Sequence, residues 1–194
     1  MVTETKTRYL TCAETAKLVR AELAKRFPAV KFSVRSKSYS MGASITVSWT
    51  DGPRASLVDP ILNCFEGRSF DGMNDLKLNQ QSWLLPDGSA DLAYRPESYG
   101  GSIPGYVSDA PHPNAELVDF GADFVHSARH VSDFDNKEAI ATAYIRRHCH
   151  CEGEPPSDRF GNDWVSNLAR HMVWDMDSSE TLEQAFKRIV LRES

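Results

Sequence analysis

The 194-residue chain has no run near the ~20 consecutive apolar residues that a helix needs to cross a bilayer, which excludes a membrane-spanning helix. Its opening residues, Met1-Val2-Thr3-Glu4-Thr5-Lys6, lack the apolar centre of a secretory signal, so a cytoplasmic location and no membrane partner are expected. Cysteine is scarce. The four residues, Cys12, Cys64, Cys149 and Cys151, are expected to be free thiols in a reducing compartment. There is no phosphate-loop sequence, no dinucleotide-binding glycine fingerprint and no nucleophile motif, and the chain shows no internal repeat, heptad run or long linker. These absences remove the common local signatures of catalysis, and no cofactor is expected.

What is present argues for a packed interior: 41% of residues are hydrophobic against 25% charged, with nine Phe, six Tyr and four Trp. The length suits a single domain spanning 1–194. Charge is unevenly spread. Residues 1–60 carry ten Lys and Arg against five Asp and Glu, whereas residues 61–194 carry twelve against twenty-two. A basic N-terminal part is suited to a polyanion, and an acidic remainder to a basic protein surface.

Thr11-Cys12-Ala13-Glu14 has the form of a capping box, and Ala16, Val19, Leu23 and Phe27 follow at helical spacing, predicting a helix over Cys12–Arg26. Val30, Phe32 and Val34 alternate with Lys31, Ser33, Arg35 and Lys37, which predicts a half-buried strand. Ile45, Val47 and Trp49 alternate with Ser44, Thr46 and Ser48 to give a second, and Ser38–Gly42 reads as the loop of a hairpin. Asp51-Gly52-Pro53 ends that strand. Pro53 is placed to open a helix carrying Val58, Leu62 and Phe65, with Pro60 inside it. Residues 67–113, rich in Gly, Pro, Asp and Ser, read as loops with short strands. Residues 117–120 read as strand, and 124–130 fit either a strand or a helix. Three helical patterns complete the chain: one after Ser132 or Asp133, one through Trp164, Leu168 and Met172, and one from Ser178 or Ser179 through Leu182, Phe186 and Ile189. The expected class is α+β: an N-terminal helix, an antiparallel hairpin within a sheet, helices on one face, and a helical part over 133–194.

Chemistry is concentrated in few places. The polar face of the hairpin presents Lys31, Ser33, Arg35 and Lys37 beside the hydroxyls of Ser44, Thr46 and Ser48, a combination that grips phosphates without reading sequence. An antiparallel sheet half exposed to water also has a polar outer face for ordinary reasons, and three cations are few for a committed nucleic-acid binder. His148-Cys149-His150-Cys151 packs four metal-ligand types together, but zinc sites separate the members of a pair by two to four residues. At most two, such as Cys149 and Cys151, reach one ion, with His126 and His130 as remote partners only if their segment is helical. The paired carboxylates Asp133 and Asp135, and Asp175 and Asp177, sit where caps and exposed turns are expected. Tyr94, Tyr99, Arg129 and His130 are the residues from which a polar enzyme site would have to be assembled.

The run from Phe27 through Lys31, Phe32, Val34, Arg35 and Lys37, continuing through Ser44 to Pro53, resembles the large polyvalent protein-associated domain of type 29. Phe65-Glu66-Gly67 and Phe70 to Asp75 extend the similarity over roughly residues 10–80, with weaker agreement through Arg129. The resemblance implies a protein of phages and conjugative elements acting in a bacterial host cell. It implies no catalytic residues. It points to a non-enzymatic antagonist, anti-CRISPR-like, that binds a host defence or nucleic-acid-processing protein complex. A nucleic-acid-binding module using the hairpin, and a metal-assisted enzyme, are the two alternatives.

Overall fold

The computed structural model describes residues 7–148 and 163–191. The protein is α+β, and its chain divides into two compact units, one formed by Met1–Trp49 with Leu57–Ala128 and the other by Thr50–Ser56 with Arg129–Ser194. No helix among the described residues is long and apolar enough to cross a membrane.

The first unit opens with β1 (Arg8–Thr11) and α1 (Cys12–Arg26). The capping box forms as its sequence dictates: the Thr11 hydroxyl oxygen accepts from the Glu14 N–H at 3.3 Å, and the Glu14 carboxylate accepts from the Thr11 N–H at 2.9 Å. The helix buries Ala16, Val19 and Leu23, and Lys25 and Arg26 occupy its last turn, where cations suit the helix dipole. β2 (Ser33–Tyr39) and β3 (Gly42–Thr50) form an antiparallel hairpin in which Val34 faces Val47, Arg35 faces Thr46, and Tyr39 faces Gly42. β2 begins later than the alternation implies, because the Val30 N–H is taken by the Phe27 carbonyl in a turn. Phe32 instead packs its ring between those of Phe27 and Trp49, at 5.9 and 5.3 Å.

α2 (Ala55–Asn63) runs through Pro60 and buries Val58 and Leu62. It starts two residues after Pro53. The intervening Arg54 N–H is held instead by the Asp177 carboxylate at 2.6 Å. Residues 67–113 hold more strand than their composition shows: β4 (Arg68–Asp71), β5 (Leu76–Asn79), β6 (Gln81–Leu84), β7 (Ala90–Arg95) and β8 (Tyr106–Val107). With β9 (Glu116–Gly121) and β10 (Phe124–His130) they complete three sheets, ordered β1-β9-β6-β7-β8, β10-β3-β2 and β4-β5. β1 lies parallel to β9, and β6 is antiparallel to both β7 and β9. The core of this unit gathers Leu23, Ile45, Val47, Phe65, Val118 and Phe120, and the last two aromatic rings of that group lie 5.4 Å apart.

The second unit is mainly helical. α3 (Phe134–His148) and α4 (Trp164–Asp175) are followed by α5 (Leu182–Phe186), which continues as a π-helical turn over Lys187–Leu191. Ala141, Ile145, Leu168, Met172, Val173, Ala185 and Ile189 make a core of their own. The last helix is capped by Thr181 and starts at Leu182, rather than at Ser178. Thr181 and Gln184 form a second capping box, while Ser178 is held in the preceding turn by its N–H bond to the Gly52 carbonyl at 3.3 Å.

Candidate nucleic-acid interface

Three of the four residues singled out on the hairpin come together. Strand alternation puts Ser33, Arg35 and Lys37 on one face of β2, and the register sets them opposite Ser48, Thr46 and Ser44 on β3. Lys31 lies off the ladder, in the exposed connection before β2. The opposite face carries Val34, Ala43, Ile45, Val47 and Trp49 into the core, which fixes the register, since a slip of one residue would bury Arg35 and expose Val34. α1 reinforces the arrangement from the side: Arg20 Nη2 donates to the Val34 carbonyl at 2.9 Å, and Cys12 Sγ donates to the Ser44 carbonyl at 3.6 Å.

Some surface cations are paired and others are not, Lys17, Arg146 and Arg147 being exposed with no ion pair among the described residues. Arg8, Lys25 and Lys137 each lie within 3.0 Å of a carboxylate. Lys31, Arg35 and Lys37 are exposed and form no ion pair among the described residues. Their charge is therefore open to a partner.

The other candidates resolve differently. Residues 124–130 are strand, so His126 and His130 stand about 13 Å apart along β10 and cannot share an ion. Cys149 and Cys151 lie outside the described residues, and no group of three His, Cys, Asp or Glu able to hold a metal occurs among those described. Arg129 is not free for chemistry. Its guanidinium donates to four main-chain carbonyls, of Asp51 at 3.3 Å, Gly52 at 3.1 Å, Trp174 at 2.5 Å and Met176 at 2.6 Å. Tyr94 and Tyr99 are exposed residues of the first unit. Asp133 receives the Asn136 amide at 2.9 Å, Asp175 pairs with Arg188 at 2.5 Å, and Asp177 holds Arg54, so these carboxylates have structural partners; Asp135 stands in the first turn of α3.

Sequence reading missed two carboxyls. Asp71 is buried and accepts from the Met73 N–H at 2.9 Å, the Asn74 side chain at 2.6 Å and the Ser102 hydroxyl at 2.8 Å. Those bonds, that from Asn74 foremost, hold it down at about 2. Glu66 behaves oppositely: burial pushes it up to about 7, against the lowering effect of the Val125 N–H, which donates to it at 2.8 Å. The only local hint of the Asp71 cluster is Asp71-Gly72-Met73-Asn74, a turn-forming string whose Asp accepts from the backbone two residues on.

The family model of the large polyvalent protein associated domain 29 matches residues 10–132, covering the stronger similarity over 10–80 and the weaker agreement through Arg129, and ending just past β10. No curated protein and no solved structure matches the chain. With that match reaching from Leu10 in β1 through the hairpin to Ser132, the chain belongs to the large polyvalent protein associated domain 29 family, as a protein associated with phages and mobile elements.

Proposed function

We propose that this chain is a non-enzymatic binding module of a mobile element that meets nucleic acid through the outer face of its β2–β3 hairpin. The observation that supports this is the pair Arg35 and Lys37, without an ion pair among the described residues, about 7 Å apart on one strand face, and flanked by the hydroxyls of Thr46 and Ser44. Cations give salt-dependent attraction to the phosphate backbone, and the hydroxyls add hydrogen bonds that carry no sequence preference. With so few cations the binding is modest and strongly weakened by salt. The double reversal R35E/K37E should weaken binding to duplex DNA and flatten the dependence of log K on log salt by about 2, near 0.9 for each lost phosphate contact. Binding and slope equal to those of the unaltered protein would sink the reading.

A second reading rests on a separate observation, the twelve Lys and Arg against twenty-two Asp and Glu over residues 61–194. In it the chain is an anti-CRISPR-like antagonist that imitates nucleic-acid charge to occupy a host defence or nucleic-acid-processing complex. Capture of such a complex from a bacterial lysate, undiminished by R35E/K37E, separates this reading from the first.

A further inference from the structure

A cleft of about 550 Å³ opens in the first unit beside the tip of the hairpin, within the size range of small-molecule sites. Its walls come from separate parts of the sequence: Tyr9 and Thr11 from the end of β1, Ser38 and Met41 from the hairpin tip, Arg68 from β4 and Lys77 from β5. Gly42 and Gly121 supply bare backbone. A Cβ on Gly121 would press on the Tyr9 hydroxyl and the Leu10 carbonyl, and one on Gly42 would press on the Asp123 carboxylate.

The donors in this cleft outnumber the acceptors. Arg68 uses only Nη1 within the protein, for the Gly67 carbonyl at 2.6 Å and Asp119 at 3.4 Å, so among the described residues its Nε and Nη2 protons have no acceptor. Lys77 gives one hydrogen bond to Asp123 at 2.7 Å, lies over the Phe124 ring at 5.7 Å from its centroid, and has donor capacity beyond the Asp123 bond. The hydroxyls of Tyr9 and Ser38 make no hydrogen bond among the described residues. Asp123 is the single carboxylate of the lining, and it is largely covered and committed to Lys77. Cys12, also in the wall, carries no opposing charge: its thiol donates to the Ser44 carbonyl, and burial pushes its ionisation up. At the rim stand the ring of Tyr9, 62% exposed, and the thioether of Met41, 85% exposed. A flat aromatic face beside a donor-rich cleft suits a base stacked next to its own phosphate.

We propose that this cleft binds a nucleoside monophosphate, free or as the phosphorylated end of a strand, with Arg68 and Lys77 on the phosphate and Tyr9 and Met41 against the base. The site is distinct from the outer face of the hairpin and stands or falls independently of it. Backbone NMR spectra of the full chain, titrated with adenosine monophosphate, adenosine, inorganic phosphate, and tetranucleotides ending in a 5′-phosphate or a 5′-hydroxyl, test it. The amides of Tyr9, Thr11, Gly42 and Gly121 should shift saturably with adenosine monophosphate, more weakly with phosphate, and not with adenosine. A phosphorylated tetranucleotide that binds more tightly than the mononucleotide identifies a strand end as the ligand; the reverse order identifies the free nucleotide. R68Q and K77Q should each raise the Kd about tenfold, the usual weight of a charge-assisted hydrogen bond, and R35E/K37E should leave it unchanged. No saturable shift in the unaltered protein, shifts confined to Ser33–Lys37, or an unchanged Kd in folded R68Q and K77Q would overturn the proposal. The spectra of the unaltered protein decide it even if a variant fails to fold.

Discussion

The Nε–H of Arg129 donates to the main-chain carbonyl of Asp51 at 3.3 Å, while the Asp51 carboxylate receives the Ser132 hydroxyl at 2.5 Å and the Lys137 ammonium at 3.0 Å. Asp51 holds this place with a left-handed backbone, φ 56°, a conformation that Asp tolerates better than most side chains. Within the second unit, the two residues tie the Asp51–Gly52 turn to the start of α3 and the end of α4.

Replacing Arg129 by Met leaves four carbonyls without their donor in a largely buried place. The expected loss is about 3 kcal/mol or more, read from urea denaturation. R129K should recover only a minority of it, because an ammonium cannot span four carbonyls as the planar guanidinium does. Equal stability of the Met variant and the unaltered protein would show that water replaces the guanidinium at no cost.

Glu66 gives the fold a pH dependence of definite sign. Its folded value of about 7 lies above the unfolded 4.5, so between these values the folded chain binds more protons than the unfolded one. The contribution to stability is therefore full below 4.5 and is lost as the pH rises through about 7. E66Q keeps an acceptor for the Val125 N–H and removes the charge, so its urea midpoint should lose this slope and exceed that of the parent above neutrality. A parallel pH profile in the two proteins would contradict the assignment.

Gly67 and Gly88 should separate crowding from backbone strain. A Cβ on Gly67 would be driven into the Phe120 carbonyl oxygen, and both main-chain groups of Gly67 are bonded, its N–H to Ala122 at 2.8 Å and its carbonyl to Gln80 at 3.0 Å. G67A is expected to cost about 2 kcal/mol or more. Gly88 has φ +86° and open space around it, so G88A carries only the left-handed penalty, about 1 kcal/mol. Thermal or urea midpoints should rank the pair in that order.

The two capping boxes are testable in the same way. T11A and T181A each remove the oxygen that accepts an orphan N–H, from Glu14 at 3.3 Å and from Gln184 at 3.2 Å. A cost of about 1 kcal/mol is expected for each, with faster hydrogen exchange in the first turns of α1 and α5.

What the sequence discloses follows from the range of the interactions. α1 is legible to the residue because its cap, its apolar spacing and its end at Arg26 are all local, and the hairpin register is legible because nine residues of β3 alternate without a break. The capping box at Thr181 was equally readable from Thr181-Leu182-Glu183-Gln184, but the serines before it offered a competing start. β4 to β8 were not legible: with two to six residues each, they offer too few alternations to show a period, and their pairing depends on partners such as β9, some 30 residues away from β6. The place of Arg129 was hidden for the same reason, since Trp174 and Met176 lie 45 and 47 residues further along. Among the candidate site residues, local alternation located Ser33, Arg35 and Lys37, whereas the Arg68 and Lys77 cleft depends on five segments meeting.

Among the described residues β2 has a neighbouring strand on one side only, so a row of its amides and carbonyls faces outward, and Arg20 covers the one at Val34. Such a border invites a second copy to add its own strand and start a fibre, and closely spaced lysine and arginine charges are a recognised guard against that. Lys31, Arg35 and Lys37 therefore carry a duty even with no polyanion in reach: two copies approaching border to border repel one another. Anything that neutralises these charges without covering the strand removes that guard.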